Sequence, residues 1–169
     1  WWGYKTENEA NDPMYTDLYH VYSVDAIANE KRSAWVYDEV KSATWTNNLG
    51  SKLGTGKTWN ETSFEPVDEY KGDIARVYFY MLTCYMDKDF TLGGKGYRYF
   101  TYNNGVCDFK SQALALMLKW HRQDPVSEKE VVRNAKVADL QGNVNPFVVE
   151  PDLVEYIWGT MKGKAYDCD

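Results

Sequence analysis

The first stretch of this 169-residue chain able to do chemistry is Asp17-Leu18-Tyr19-His20, followed by Asp25, Asn29 and Arg32. The last three stand at i, i+4 and i+7, so a helix would set them on one face. A carboxylate, an amide oxygen and a guanidinium side by side suit a hard divalent cation and a phosphate. Such cations take oxygen ligands, and a guanidinium grips phosphate through paired hydrogen bonds. A solvated polar face is the simpler reading of the same spacing. His20 precedes that face, although a lone histidine in a mixed segment commonly has a structural role. The other histidine, His121, lies in Trp120-His121-Arg122-Gln123-Asp124-Pro125 at an expected helix C-terminus. There a cation or donor satisfies terminal carbonyls and the helix dipole, and that reading outweighs a catalytic one.

Gly54-Thr55-Gly56-Lys57-Thr58 ends like a phosphate-binding loop, but Ser51 stands where that pattern needs its first glycine. A surface turn is expected. Asn60-Glu61-Thr62 fits a glycosylation acceptor, a pattern too short to decide anything. Cys84, Cys107 and Cys168 form no CxxC pair and are too few for a disulfide scaffold. Whether Cys84 and Cys107 pair stays open. Two histidines cannot furnish a histidine-rich zinc site.

These groups need elements to position them. Residues 1–16 read as loop, and 17–22 as a short strand or the start of a helix. Asp25 is the expected N-cap of a helix reaching about Lys31. Strands and loops follow to residue 63, with strands around Ser33–Val40 and Lys57–Phe64. Val67 to about Tyr85 is the clearest helix, with Ile74, Val77, Tyr78, Met81, Leu82 and Tyr85 forming one buried stripe. Residues 87–108, with Asn103-Asn104-Gly105, read as an aromatic hairpin or irregular excursion. A helix over about Lys110–His121 turns inward either Leu114, Met117 and Trp120 or Ala113, Leu116 and Trp120. Ser127-Glu128-Lys129-Glu130 predicts a capping box, with the serine capping free N–H groups and Glu130 reaching back, on a helix to about Asp139. A last helix spans about Pro151–Met161. The chain reads as one α+β domain over 1–169, mostly helical after residue 65.

The net charge is −6, from 19 basic and 25 acidic side chains. Residues 1–60 hold 6 basic and 8 acidic groups, so any nucleic-acid face must be local and made by the fold. No apolar run approaches the roughly 20 residues of a membrane-spanning helix. Aromatic residues make up 16% of the chain. Most must be core, while some could stack on sugars or bases.

Four segments together resemble the bacterial endonuclease I family, especially versions common among Bacteroidetes. They are Tyr15-Thr16-Asp17-Leu18-Tyr19-His20-Val21-Tyr22 with Asp25, Asn29, Arg32 and Ser33; Gly50-Ser51-Lys52-Leu53-Gly54; Phe64-Glu65-Pro66-Val67-Asp68-Glu69-Tyr70-Lys71-Gly72-Asp73 running on to Met81; and Leu118 through Ser127, then Arg133-Asn134, Gln141, Asn143, Asn145-Pro146-Phe147 and Glu155-Tyr156-Ile157-Trp158-Gly159. The resemblance implies a ββα-metal (His-Me finger) fold and cleavage of DNA, often also RNA, with little sequence preference. It also implies a divalent cation, usually Mg²⁺, and a secreted or periplasmic protein. Asn29 matches the metal-binding asparagine; His20, Asp25 and Arg32 match positions near the site. The general-base histidine of the family lies in a segment read as Arg-Glu-His-x-x-Pro-Lys-Ser-Trp. Trp1-Trp2-Gly3 looks like the residues just after that segment. The base is therefore expected upstream of Trp1, and these 169 residues alone are expected not to cut.

Departures from the family pattern are Ser23 for a proline, Ala34-Trp35-Val36-Tyr37-Asp38 for Asn-Tyr-Pro-Phe-Gly, Val144 for an arginine, and Val149 and Glu150 for an aspartate and a histidine. They leave open a divergent or weakly active member and a degenerate, non-cutting binding protein. A secreted carbohydrate-binding module is the remaining alternative, suggested by the aromatic content.

Overall fold

The computed structural model describes residues 13–167. Trp1-Trp2-Gly3 and Cys168 lie outside the described residues. A one-turn helix, α1 (Pro13–Thr16), stands where loop is expected. Leu18–His20 is a 3₁₀ turn, neither strand nor α-helix, capped by the Asp17 carboxylate. Helix α2 (Ala26–Arg32) begins, as the sequence predicts, at Asp25. Its Oδ1 accepts from the N–H groups of Ile27 and Ala28 at 3.0 and 2.9 Å, which satisfies two of the otherwise free donors of the first turn.

Four strands follow: β1 (Val36–Tyr37), β2 (Val40–Thr46), β3 (Lys52–Gly56) and β4 (Thr62–Glu65), in the sheet order β1-β4-β3-β2. β1 runs parallel to β4, and the other pairs are antiparallel. The expected strand over Lys57–Phe64 is thus mostly turn, and the main hairpin is β2–β3. Its tip is set by Asn47, whose Oδ1 accepts from the N–H groups of Leu49 and Ser51, with Gly50 at a φ of +102°.

A 3₁₀ turn over Asp68–Tyr70 leads into the central helix, α3 (Lys71–Cys84). It differs from the single-stripe expectation: every residue from Lys71 to Leu82 except Ile74 is buried. Then come α4 (Gly96–Tyr99) and the hairpin β5 (Phe100–Asn103) and β6 (Val106–Phe109). Asn104 and Gly105 both have positive φ, as a tight hairpin turn requires. Helix α5 (Ser111–Gln123) buries Ala113, Leu116, Met117, Leu118, Trp120 and His121, so both expected stripes contribute. Helices α6 (Glu128–Gln141), α7 (Pro146–Val149) and α8 (Leu153–Ile157) complete the chain. α8 is shorter than its expected span.

The architecture is α+β, mostly helical after residue 65. Phe79 of α3 is the hub of the core, with Phe109, Phe147 and Trp158 packed around its ring at centroid distances of 5.6, 6.0 and 4.8 Å. The aromatic content goes largely into this packing. Polar groups also cross the core. Arg76, fully buried, forks onto Glu130 of α6 through Nε–Oε1 at 2.7 Å and Nη2–Oε2 at 2.6 Å. This alters the capping box. Ser127 Oγ does accept from the Glu130 N–H at 3.2 Å, but the Glu130 carboxylate turns inward to Arg76 instead of reaching back. Among the described residues no helix is long and apolar enough to cross a membrane.

Candidate functional site

Asp25, Asn29 and Arg32 sit on one short helix, and they are not equivalent. Asp25 spends a carboxylate oxygen on the helix start. Asn29 is exposed, and its backbone joins the helix ladder through its N–H to Asp25 O and its carbonyl from the Ser33 N–H. Its side-chain amide is exposed and makes no hydrogen bond among the described residues. Arg32 lays its guanidinium 4.6 Å from the Tyr37 ring centroid and donates from Nη1 to the Ser33 carbonyl. Cation–π stacking on Tyr37 holds the head group in place.

His20 does not join that group. No hydrogen bond links it to Asp25, Asn29 or Arg32 among the described residues. Its Nε2 lies 3.2 Å from the Tyr15 carbonyl, and its Nδ1 is buried without a hydrogen-bond partner among the described residues. A carbonyl partner assigns the proton to Nε2, and burial lowers the pKa below the ordinary histidine value, so the ring is held neutral.

Asp17, read from the sequence as a polar neighbour, is the anchor of this region. It is 3% exposed. Its Oδ2 accepts from the phenols of Tyr80 and Tyr85, both at 2.8 Å. Its Oδ1 accepts from the Tyr19 N–H at 2.8 Å and from Gln141 Nε2 at 3.2 Å. Burial and the carboxylate keep the Tyr80 phenol protonated far above its usual range. Gln141 returns its Oε1 to the Leu18 N–H at 2.8 Å, and Tyr19 Oη reaches Asn134 Oδ1 at 2.7 Å. From α6, Arg133 Nη2 faces the carbonyls of Leu18, Tyr19 and Val21 at 2.8, 3.2 and 2.9 Å. Sequence reading assigned no role to Arg133, Asn134 or Gln141. The available signal was that Arg133, buried Val137 and Gln141 recur every four residues on one helix face.

His121 stands in the last turn of α5, as expected, but its ring faces inward. It is only 8% exposed, with Nδ1 3.4 Å from Arg76 Nη1 and its ring edge-on to Phe79. Burial and the Arg76 charge push its pKa down to about 4, so it is neutral, and the cations at this end of α5 are Arg122 in its last turn and Arg76, whose Nη1 donates to the Asp124 carbonyl at 2.9 Å. The Gly54–Thr58 run ends β3 and turns around an anion of the protein itself. The Asp38 carboxylate accepts from the Thr58 N–H and hydroxyl and from the Trp59 N–H at 2.7, 2.8 and 3.2 Å. Lys57 pairs with Glu39. Cys84 and Cys107 are both free thiols.

Among the described residues no group of three or more His, Cys, Asp or Glu could hold a metal ion. Asn29 offers one exposed amide oxygen, and Asp25 is engaged as a cap. The described residues alone therefore do not complete a divalent-cation site, and Asn29 is the one oxygen ligand they offer to it.

The sequence profile of the family described as Endonuclease I matches residues 3–152. An extracellular ribonuclease of Bacillus amyloliquefaciens is 35% identical over 150 residues, which is 85% of this chain and 46% of that protein. An extracellular ribonuclease of Bacillus subtilis is 31% identical over 150 residues, again 85% and 46%. An endonuclease-1 of Buchnera aphidicola is 28% identical over 133 residues, 79% of this chain and 46% of its own. The chain thus spans about half the length of the curated relatives it matches. With the profile covering most of the chain and the α2 region inside the match, the protein belongs to the endonuclease I family.

Proposed function

We propose that the full-length protein is a secreted endonuclease that hydrolyses phosphodiester bonds of DNA and RNA with little sequence preference and depends on a divalent cation, Mg²⁺ first. The observation that carries this reading is the exposed Asn29 amide on a capped helix, one turn from the Arg32 guanidinium, inside the family match. In this reading Asn29 contributes one oxygen ligand to the cation, and Arg32 binds substrate phosphate. A cation held there, with Asn29 as one ligand, would supply Lewis-acid stabilisation to the scissile phosphate.

Neither histidine of the sequence is proposed as the general base. His20 faces a carbonyl, and His121 is buried against Arg76.

The relatives named extracellular ribonucleases support secretion and RNA as a substrate; the one named endonuclease-1 supports endonucleolytic cutting. A second reading, a fold that binds nucleic acid without cutting it, draws on the exposed Val144 where an arginine is expected. Incubating the full-length protein with supercoiled plasmid and with single-stranded RNA, with Mg²⁺ or with EDTA, separates them. We expect Mg²⁺-dependent cutting of both. Salt-sensitive binding without cutting would favour the second reading.

A further inference from the structure

Helix α2 carries Asn29 and Arg32 but buries none of its seven residues. A helix this short is unstable alone, and most helices in proteins are held by a buried apolar face, which α2 lacks. Its position is therefore set by what pins the chain on either side. Downstream the pin is Arg32 on Tyr37. Upstream it is the segment 17–22, and that segment is held from α6.

The central contact there is Arg133. Its Nη2 donors are shared among the carbonyls of Leu18, Tyr19 and Val21 at 2.8, 3.2 and 2.9 Å. The same guanidinium lies 4.2 Å from the Tyr22 ring centroid and 5.9 Å from that of Tyr19. Among the described residues only the Leu18 carbonyl has a backbone partner in the turn, the Val21 N–H at 3.2 Å. One side chain thus gathers three carbonyls and stacks on the residue three places before the α2 cap. A lysine has the charge but neither the planar fork nor the flat face, so it cannot make both contacts in the same way.

We propose that Arg133 is a positioning residue for the α2 site: by clamping the carbonyls of Leu18, Tyr19 and Val21 it fixes the point from which the helix bearing Asn29 starts. This rests on the reading of Asn29 as a site residue given above.

The test uses the full-length protein with Arg133→Gln and Arg133→Lys. Hydrogen exchange is followed at the amides of Val21 and Asn29, and of Phe79 and Met81 in α3 as an internal reference. We expect Arg133→Gln to speed exchange at Val21 and Asn29 by at least about tenfold while the α3 amides keep their protection, because the opening is local. Cleavage should lose about 10- to 100-fold in kcat with KM little changed, as misplacement rather than lost binding predicts. Arg133→Lys should recover part of both together, and it serves if the glutamine variant fails to fold.

Unchanged exchange at Val21 and Asn29 would overturn the proposal. So would equal acceleration in α3, which marks general destabilisation, or an opened segment with full kcat. If the wild-type protein does not cut, the nuclease reading fails by itself, and exchange alone decides whether Arg133 holds α2.

Discussion

Single side chains here do their work through partners distant in sequence. His121 carries the clearest consequence. Burial, with Arg76 beside it, lowers its pKa to about 4 in the folded protein. An unfolded chain would protonate it near its ordinary value of about 6.5. Stability linked to His121 is therefore complete above about pH 6.5 and falls as the pH drops towards 4, because only the unfolded state gains the proton in that window. The loss amounts to about 3 kcal/mol. Asp73 and Glu130 act in the opposite sense, since burial raises both carboxyls. Their effect is common to wild type and variant. We expect His121→Gln to remove the His121 share of the acid limb in denaturant unfolding between pH 7 and 4. Parallel pH profiles for the two proteins would show that the histidine is not held neutral.

At the scale of elements, the turn around Asp38 is the most constrained connection. A Cβ on Gly56 would lie 2.3 Å from Asp38 Oδ2 and 2.4 Å from Ser63 Oγ. Asp38 cannot retreat without giving up its bonds to Thr58 and Trp59. Gly56→Ala should therefore cost about 2 kcal/mol or more in equilibrium unfolding. A neutral substitution would mean that the carboxylate is not fixed as described.

Elements built on local signals were legible in the sequence. Asp25 caps α2, Asn104-Gly105 turns the second hairpin, and the apolar run of α3 forms the central helix. The β2–β3 hairpin was not, because β2 is exposed along most of its length and carries no apolar alternation. The Glu130 half of the capping box failed for a non-local reason: a buried guanidinium 54 residues away takes the carboxylate. His121 does stand in the last turn of α5, but its inward setting beside the same buried guanidinium was not legible. Of the candidate site, the helix that carries Asn29 and Arg32 and starts at Asp25 was readable from local signals. The Arg133 clamp was not, since its partners are backbone carbonyls and leave no mark on residue type.

The molecule as a whole carries a net charge of −6, which disfavours a surface that binds nucleic acid by charge alone. A small centre that brings its own cation escapes that objection, because the ion supplies local positive charge to the phosphate. Catalytic weight in the proposed function therefore falls on very few groups of this chain, and on Asn29 above the others. The direct measurement is the single-turnover cleavage rate of the full-length protein with Asn29→Ala, beside the wild type at saturating Mg²⁺. Loss of a metal-site group predicts a fall of at least about 100-fold with the fold intact by circular dichroism. A rate equal to that of the wild type would remove Asn29 from the site and contradict the proposed function.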